Sequence, residues 1–355
     1  MKKIIGTAAQ FLLAAMVFAY NPPVGGQSLF LVSNPDQLSG AGSVCGGAIF
    51  APGPDSIALN PALPAMEDRI QLNADFSALV STVAQTSVFN PTFDTGILIP
   101  LKMFTVSGIL NGDFCNAQEM NIGNSLNFRT GIAKSVTERI SVGLNLYTGF
   151  LMSPDADWAL GADLGFLYRM PSLGFIKDAR LGVSVMNLGK NYTSESLPGI
   201  NTTALSDLFP SIATIKAGVA GLLLDVRGFK LGASFDITTP TFQNLVFDAG
   251  LQMSIKDVVF LKVGENFDIA EVVNGHTNFL PSVGVSVKFN FSAANNEYLK
   301  SHSWDKSEMI VSGAWQQKYE TLQAIGGGVR IKLGQKDTVP PVIKLWDDDD
   351  EVLGL

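Results

Sequence analysis

Residues 229–238 read Phe-Lys-Leu-Gly-Ala-Ser-Phe-Asp-Ile-Thr, so that apolar side chains alternate with polar or small ones. In an extended chain successive side chains point to opposite faces. The period of two therefore predicts a β-strand with one apolar and one polar face. Lys230 and Asp236 fall on the polar face.

The same alternation recurs along the chain, as in residues 140–147 and 282–291, where Lys288 again falls on the polar face. From Arg69 onward about fourteen such segments are candidate strands. They are 69–80, 93–102, 103–114, 122–135, 138–152, 157–169, 178–189, 212–225, 228–238, 243–255, 257–267, 280–292, 307–317 and 321–333.

The composition decides what the apolar faces contact. Of the 355 residues 46% are hydrophobic and only 16% are charged, whereas soluble domains carry about 25% charged residues. A soluble β-sandwich also alternates, but its outer face needs more Lys and Glu than this chain provides. A helical membrane protein needs apolar runs of about 18 residues, and none follows the first twenty residues. We therefore predict an all-β fold, a transmembrane antiparallel β-barrel over residues 69–333 with an N-terminal segment in its lumen.

In such a barrel the polar face of each strand faces the lumen and the apolar face contacts lipid. Lys230, Asp236 and Lys288 are expected to face the lumen, because a cation on the lipid face at mid-bilayer costs about 2–4 kcal/mol. The residues expected to face lipid are Phe229, Leu231, Phe235, Val285, Val287 and Phe289.

Connection lengths support the barrel independently. If the first strand runs outward, the short turns at residues 136–137, 226–227 and 256–257 all fall on the periplasmic side, and the long connection 190–211 falls outside. The exception is the long segment 293–306, which falls on the periplasmic side and leaves the strand count there open.

Most catalytic and nucleic-acid-binding functions are not supported by the residues present. The formal net charge of −8 disfavours nucleic acid as a partner. Only His276 and His302 could serve as an imidazole base, both in predicted loops, and no Gly-x-Ser-x-Gly motif is present. Two histidines and two cysteines cannot form a dedicated zinc site at standard spacing. We predict no enzymatic activity, no metal and no cofactor; whether Cys45 and Cys115 pair is left open.

The ends of the chain have their own predicted roles. Lys2 and Lys3 precede an uncharged, mostly apolar stretch that Pro22 and Pro23 interrupt, which predicts a cleaved signal peptide at residues 1–26. Export would place the mature protein in the outer membrane of a diderm bacterium. Residues 334–355 are expected to form an acidic tail.

Between signal and barrel, residues 27–68 are rich in small residues and uncharged from Gln37 to Pro54. A flexible exported linker is one interpretation, but a solvated linker would lack the apolar residues found here. The segment contains the paired glycines Gly46 and Gly47, then an Asp-Ser step, then the run Asn60-Pro61-Ala62-Leu63. This pattern resembles the N-terminal hatch of the FadL-type outer-membrane fatty acid transporters. It is equally similar to their PorV/PorQ-type relatives and to the treponemal branch of that superfamily.

The resemblance implies passive uptake of long-chain fatty acids or similar hydrophobic molecules through a plugged barrel. The ligand would pass the hatch at Gly46, Gly47, Asn60, Pro61 and Ala62. Outer-membrane lipid and the barrel-assembly machinery would be further partners. The alternative is a non-transporting barrel that binds secreted proteins, as the PorV-type relatives do; an open polar porin conflicts with an apolar N-terminal segment.

Overall fold

The computed structural model describes residues 33–49, 51–81, 88–115, 123–153, 156–171, 174–190, 213–240, 244–273, 280–292, 297, 306–317 and 322–334. The predicted signal peptide, the residues after Gly334 and both histidines lie outside these ranges.

The described chain is a closed barrel of fourteen antiparallel strands in sequence order, and the last strand pairs with the first from Gln71↔Lys332 to Ser81↔Leu322. The predicted fold class is confirmed. The strands are β1 Gln71–Ser81, β2 Val88–Pro100, β3 Thr105–Cys115, β4 Gly123–Ser135, β5 Ile140–Ser153, β6 Asp157–Arg169, β7 Lys177–Lys190, β8 Thr214–Val226, β9 Phe229–Pro240, β10 Val246–Ile255, β11 Val259–Asp268, β12 Ser282–Ser292, β13 Lys306–Gln317 and β14 Leu322–Lys332.

We call the two rims the turn end and the loop end. The turn end holds the start of β1, the end of β14 and tight turns such as Ile255–Val258, where Lys256 and Asp257 both have φ of 53°. Positive φ at both central residues is the type I′ geometry that matches the twist of a two-strand ribbon. β12 ends and β13 begins at the turn end, and the described strands number fourteen, so the strand count is as predicted.

The barrel is apolar outside and polar inside. Phe235, Val285 and Phe289 are 43%, 45% and 48% exposed, and the strand neighbour Asp236 is buried in the lumen. Because this distribution is the reverse of that in a soluble protein, the outer surface fits hydrocarbon rather than water. No helix among the described residues is long and apolar enough to cross a membrane.

The few helices are short. α1 (Pro35–Leu38) and two 3₁₀ turns, Pro54–Ala58 and Leu63–Met66, lie within residues 33–67, which we call the inner segment. α2 (Ile269–Val273) follows β11 at the loop end. Each turn of the inner segment has Pro at its first or second position, where the missing N–H costs no hydrogen bond.

Candidate functional site

The inner segment lies inside the barrel and contacts its wall through backbone and side chains. Asn60 is fully buried, and its Nδ2 donates to the carbonyl oxygens of Val44 at 2.9 Å and of Phe166 on β6 at 3.0 Å. Its Oδ1 accepts from the N–H of Ala62 at 2.9 Å. One amide therefore joins two parts of the inner segment to each other and to the wall.

Glycines on the wall make room for this contact. A Cβ on Gly143 of β5 would collide with the carbonyl of Pro61, and one on Gly165 of β6 would collide with Oδ1 of Asn60. The residues Asn60-Pro61-Ala62 thus pack directly on the backbone of β5 and β6.

The paired glycines shape the middle of the inner segment. Gly46 and Gly47 have φ of 85° and 89°, a region that glycine enters without steric penalty. A side chain on Gly47 would also strike the carbonyl of Ala41. The pair therefore sets a tight backbone reversal inside the lumen.

Two charged wall residues hold the same region. Asp236 on β9 accepts from Ser43 Oγ and from the N–H of Val44, both at 2.7 Å. Arg180 on β7, fully buried, donates to the carbonyl oxygens of Cys45 at 2.9 Å and of Ala48 at 3.1 Å. Both side chains satisfy backbone groups that would otherwise be buried without partners.

The start of the inner segment is held by ion pairs to β11 and β14. Asp36 contacts Lys262 and also pairs with Arg330 at 3.2 Å, and Arg330 pairs with Asp55 at 3.0 Å. Burial by itself would raise the pKa of Asp36, but the charges of Lys262 and Arg330 outweigh it and lower the pKa from 3.8 to about 2. Asp36 is therefore ionised at any physiological pH.

A further ion pair lies where the inner segment leaves the lumen. Glu67 pairs with Lys332 at 2.9 Å and with Arg69 at 3.5 Å at the turn end. Burial tends to raise the pKa of Glu67, yet the charges of Lys332 and Arg69 hold it below its ordinary value of 4.5.

Cys45 is a free, buried thiol. Its Sγ lies 3.1 Å from the carbonyl oxygen of Gly218. Burial, with the nearby Asp236 charge, raises the pKa of this thiol to about 12, which keeps it protonated and unreactive.

Besides Asp236, two lysines were expected to face the lumen, and both lie at the turn end. Lys230 pairs with Asp257 at 2.8 Å and is 35% exposed. Lys288 is half-buried on the same face of β12 as Ser286. The structure thus brings Asp236 and the glycine and Asn-Pro-Ala residues together at the inner segment, but it places Lys230 and Lys288 away from them.

A cavity of about 220 Å³ lies between the inner segment and the loop end. Its apolar lining includes the buried side chains of Leu59, Ile109, Tyr147, Met186 and Val246. Its charged side chains are Asp55, Asp94, Asp236, Asp248, Asp268, Arg129 and Lys216, with Glu265 on the opposite face of β11. Among the described residues no group of three or more His, Cys, Asp and Glu could hold a metal ion.

Several site residues could not be named from the sequence. Arg180, Lys262 and Arg330 are inward charges on strands, and their partners in the inner segment lie more than 130 positions away. The available signal was a charge at an inward position of an alternating strand in a chain that is poor in charge.

Fold and site together define a class: a transmembrane β-barrel whose lumen is filled by its own N-terminal segment. The fold is shared with the Pseudomonas putida toluene transporter TodX (TM-score 0.50, 11% identity, 85% of this chain and 97% of TodX). The Ralstonia pickettii toluene transporter TbuX (0.49, 11%, 86% and 99%) and a Pseudomonas aeruginosa FadL homologue (0.44, 12%, 83% and 96%) also match. No protein-family model and no curated protein sequence matches the chain. The barrel fold shared with TodX confirms the fold that the resemblance to FadL-type barrels predicts.

Proposed function

We propose that this chain is an outer-membrane channel through which small hydrophobic molecules enter the cell, with the inner segment as its plug. The observation that carries the proposal is the filled lumen: residues 33–67 occupy it and leave a partly apolar cavity on the loop-end side. The fold shared with TodX, a toluene transporter, supports the hydrophobic class of ligand.

Two small apolar clusters join the plug to Leu167 and Ala220 of the wall, and polar contacts that can be exchanged hold the rest. Hydrogen bonds join it to Asn145, Ser184 and Asp236, and ion pairs join it to Lys262 and Arg330. Each neutral hydrogen bond is worth only about 1 kcal/mol net, and water or a polar ligand group can replace it. The plug can therefore shift when a ligand enters the cavity, because displaced water can take over these polar contacts.

The experiment uses a plug that can be locked. Ser43→Cys with Asp236→Cys, in a Cys45→Ala and Cys115→Ala background, places two thiols where the native side chains already touch. Diderm cells that express this variant are supplied with labelled toluene, before and after reduction. We expect slow uptake when the disulfide is formed and fast uptake after reduction. The cysteine-free parent, Cys45→Ala with Cys115→Ala, should be insensitive to the reductant.

The finer expectation, uptake of long-chain fatty acids, forms a second arm of the same experiment. Uptake that is independent of both the lock and the barrel would refute the channel. If no solute enters but a secreted protein co-purifies with the barrel, the alternative of a non-transporting barrel that binds secreted proteins replaces the channel.

A further inference from the structure

If the protein is the channel proposed above, the side chains that line its cavity indicate which kind of hydrophobic molecule it binds. Four lumen-facing carboxylates border it on two sides: Asp94 on β2, Asp236 on β9, Asp248 on β10 and Asp268 on β11. A fifth, Asp55, is paired with Arg330. Asp236 accepts from Ser43 and Val44, and Asp248 and Asp268 accept from the amides of Asn266 and Asn244, so these partners are neutral donors.

Among the described residues that line it, the cavity has only two cationic side chains, Arg129 and Lys216, and Arg129 already has partners. Arg129 pairs with Asp163 at 3.0 Å, donates to Asn187 at 2.9 Å and lies 5.3 Å from the ring centre of Tyr147. Lys216 remains, facing the charges of Asp248 and Asp236. The cavity is therefore lined by more carboxylates than cationic side chains.

An independent observation shows that the cavity has acceptors to spare. Gln316 on β13 lines it and is only 9% exposed. Its Oε1 is fully buried and accepts no hydrogen bond in the described structure. A buried acceptor without a partner costs free energy that a donor on a ligand would recover.

The apolar part of the lining indicates that the ligand has an apolar part that packs there. Leu59, Ile109, Met186 and Val246 are buried side chains of the same cavity. An apolar cavity of about 150 Å³ can hold benzene, so about 220 Å³ holds one aromatic ring and a small head group.

We propose that the cavity selects small amphiphiles whose head group is a protonated amine, and disfavours carboxylates. The ring packs on the apolar side chains, and the ammonium donates toward Asp248, Asp268 and Gln316 Oε1. This inference rests on the proposed channel but goes further, because it opposes the uptake of fatty acid anions.

The test compares three probes with one ring and different heads: benzylammonium, benzyl alcohol and benzoate. Their binding to the purified full chain in nonionic detergent is measured by calorimetry at pH 7, with empty micelles subtracted. We expect benzylammonium to bind about tenfold more tightly than benzoate, the effect of one charge-assisted hydrogen bond, with benzyl alcohol between them.

Variants assign the effect to the cavity. Asp248→Asn should reduce the preference for benzylammonium over benzyl alcohol several-fold, and Asp268→Asn serves if the first variant does not fold. Gln316→Leu should weaken both donors and leave benzoate unchanged. The matched control is Asp225→Asn, which removes the same charge from a carboxylate paired with Lys177 at the turn end; it should change nothing.

Two failures are distinguishable. If toluene passes the unlocked plug but the three probes bind equally or not at all, or benzoate binds best, the amine preference is wrong and the channel stands. If toluene uptake ignores the lock and none of the probes binds, the channel itself is refuted.

Discussion

Arg330 binds the plug at three points. Its guanidinium donates hydrogen bonds to the carboxylates of Asp36 and Asp55 and to the carbonyl oxygen of Ala51. Removing one partner of a buried ion pair costs about 3–5 kcal/mol, because the other charge stays buried. Arg330→Met should therefore release the start of the inner segment while the barrel stays closed.

The measurement is the labelling rate of a cysteine at Ala41, which is 3% exposed, in a background without the two native cysteines. We expect faster labelling in Arg330→Met. The matched control is Lys177→Met, which breaks a solvent-exposed pair with Asp225 worth at most about 1 kcal/mol. Equal labelling in both variants would contradict the assignment.

Asp36 gives the plug a pH dependence with a defined sign. Its folded pKa of about 2 lies below its ordinary value of 3.8, so its stabilising contribution is full above pH 3.8 and is lost as the pH falls toward 2. The labelling rate at position 41, divided at each pH by that of a fully exposed cysteine on the same barrel so that the loss of thiolate cancels, should stay constant from neutral pH to about 4.5 and rise between there and pH 2.

The control for this titration is Asp36→Asn, which has no carboxylate to protonate and should show a smaller change over the same range. A transition of the wild-type plug centred above pH 5 would be inconsistent with Asp36 as its cause.

Only part of this residue-scale chemistry is readable from sequence. Gly46, Gly47 and Asn60 stand in a recognisable local pattern, whereas the partners Asp36 and Arg330 are 294 positions apart. Nothing local links two such residues, and only barrel closure brings them together.

At the scale of single elements, β5 and β6 are shaped to receive the plug. Gly143→Ala would place a methyl group against the carbonyl of Pro61 and displace the inner segment. Gly313→Ala is the matched control, since a Cβ there meets nothing nearer than a carbonyl oxygen at 3.8 Å. Hydrogen exchange of the Ala62 amide should speed up in the first variant alone; equal protection in both would show that the close packing does not exist.

Strand boundaries show where sequence patterns succeed and fail. β6 has its predicted bounds, because its alternation is unbroken from Asp157 to Arg169. β2 begins at Val88, five residues before the predicted start, and runs through Pro91. Proline is tolerated there because Pro91 pairs with Ala78 of β1 while pairing with β3 starts only at Thr92.

For the whole molecule, the apolar exterior predicts a depth-dependent cost of charge. Val219 and Val226 are 46% and 50% exposed on the same strand, one in its middle and one at the turn end. Val219→Arg should destabilise the barrel by about 2–4 kcal/mol and Val226→Arg by at most about 1 kcal/mol, as measured by denaturant unfolding in lipid vesicles. Equal losses of stability in the two variants would mean that the middle of the outer surface does not face hydrocarbon.

The architecture was predictable and the lumen chemistry was not, for one physical reason. Alternation and scarcity of charge are properties of each strand, so they can be read locally. The cavity gathers side chains from nine or more elements, and its excess of carboxylates appears only when the barrel closes around the inner segment.

Ion conductance across a planar bilayer measures whether residues 33–67 plug the lumen. The intact barrel is predicted to pass almost no current, whereas the variant without residues 33–66, or Gly143→Ala if that deletion does not insert, is predicted to open in large steady steps. If the intact barrel conducted as well as the variants, the inner segment would not be a plug and the account would be wrong.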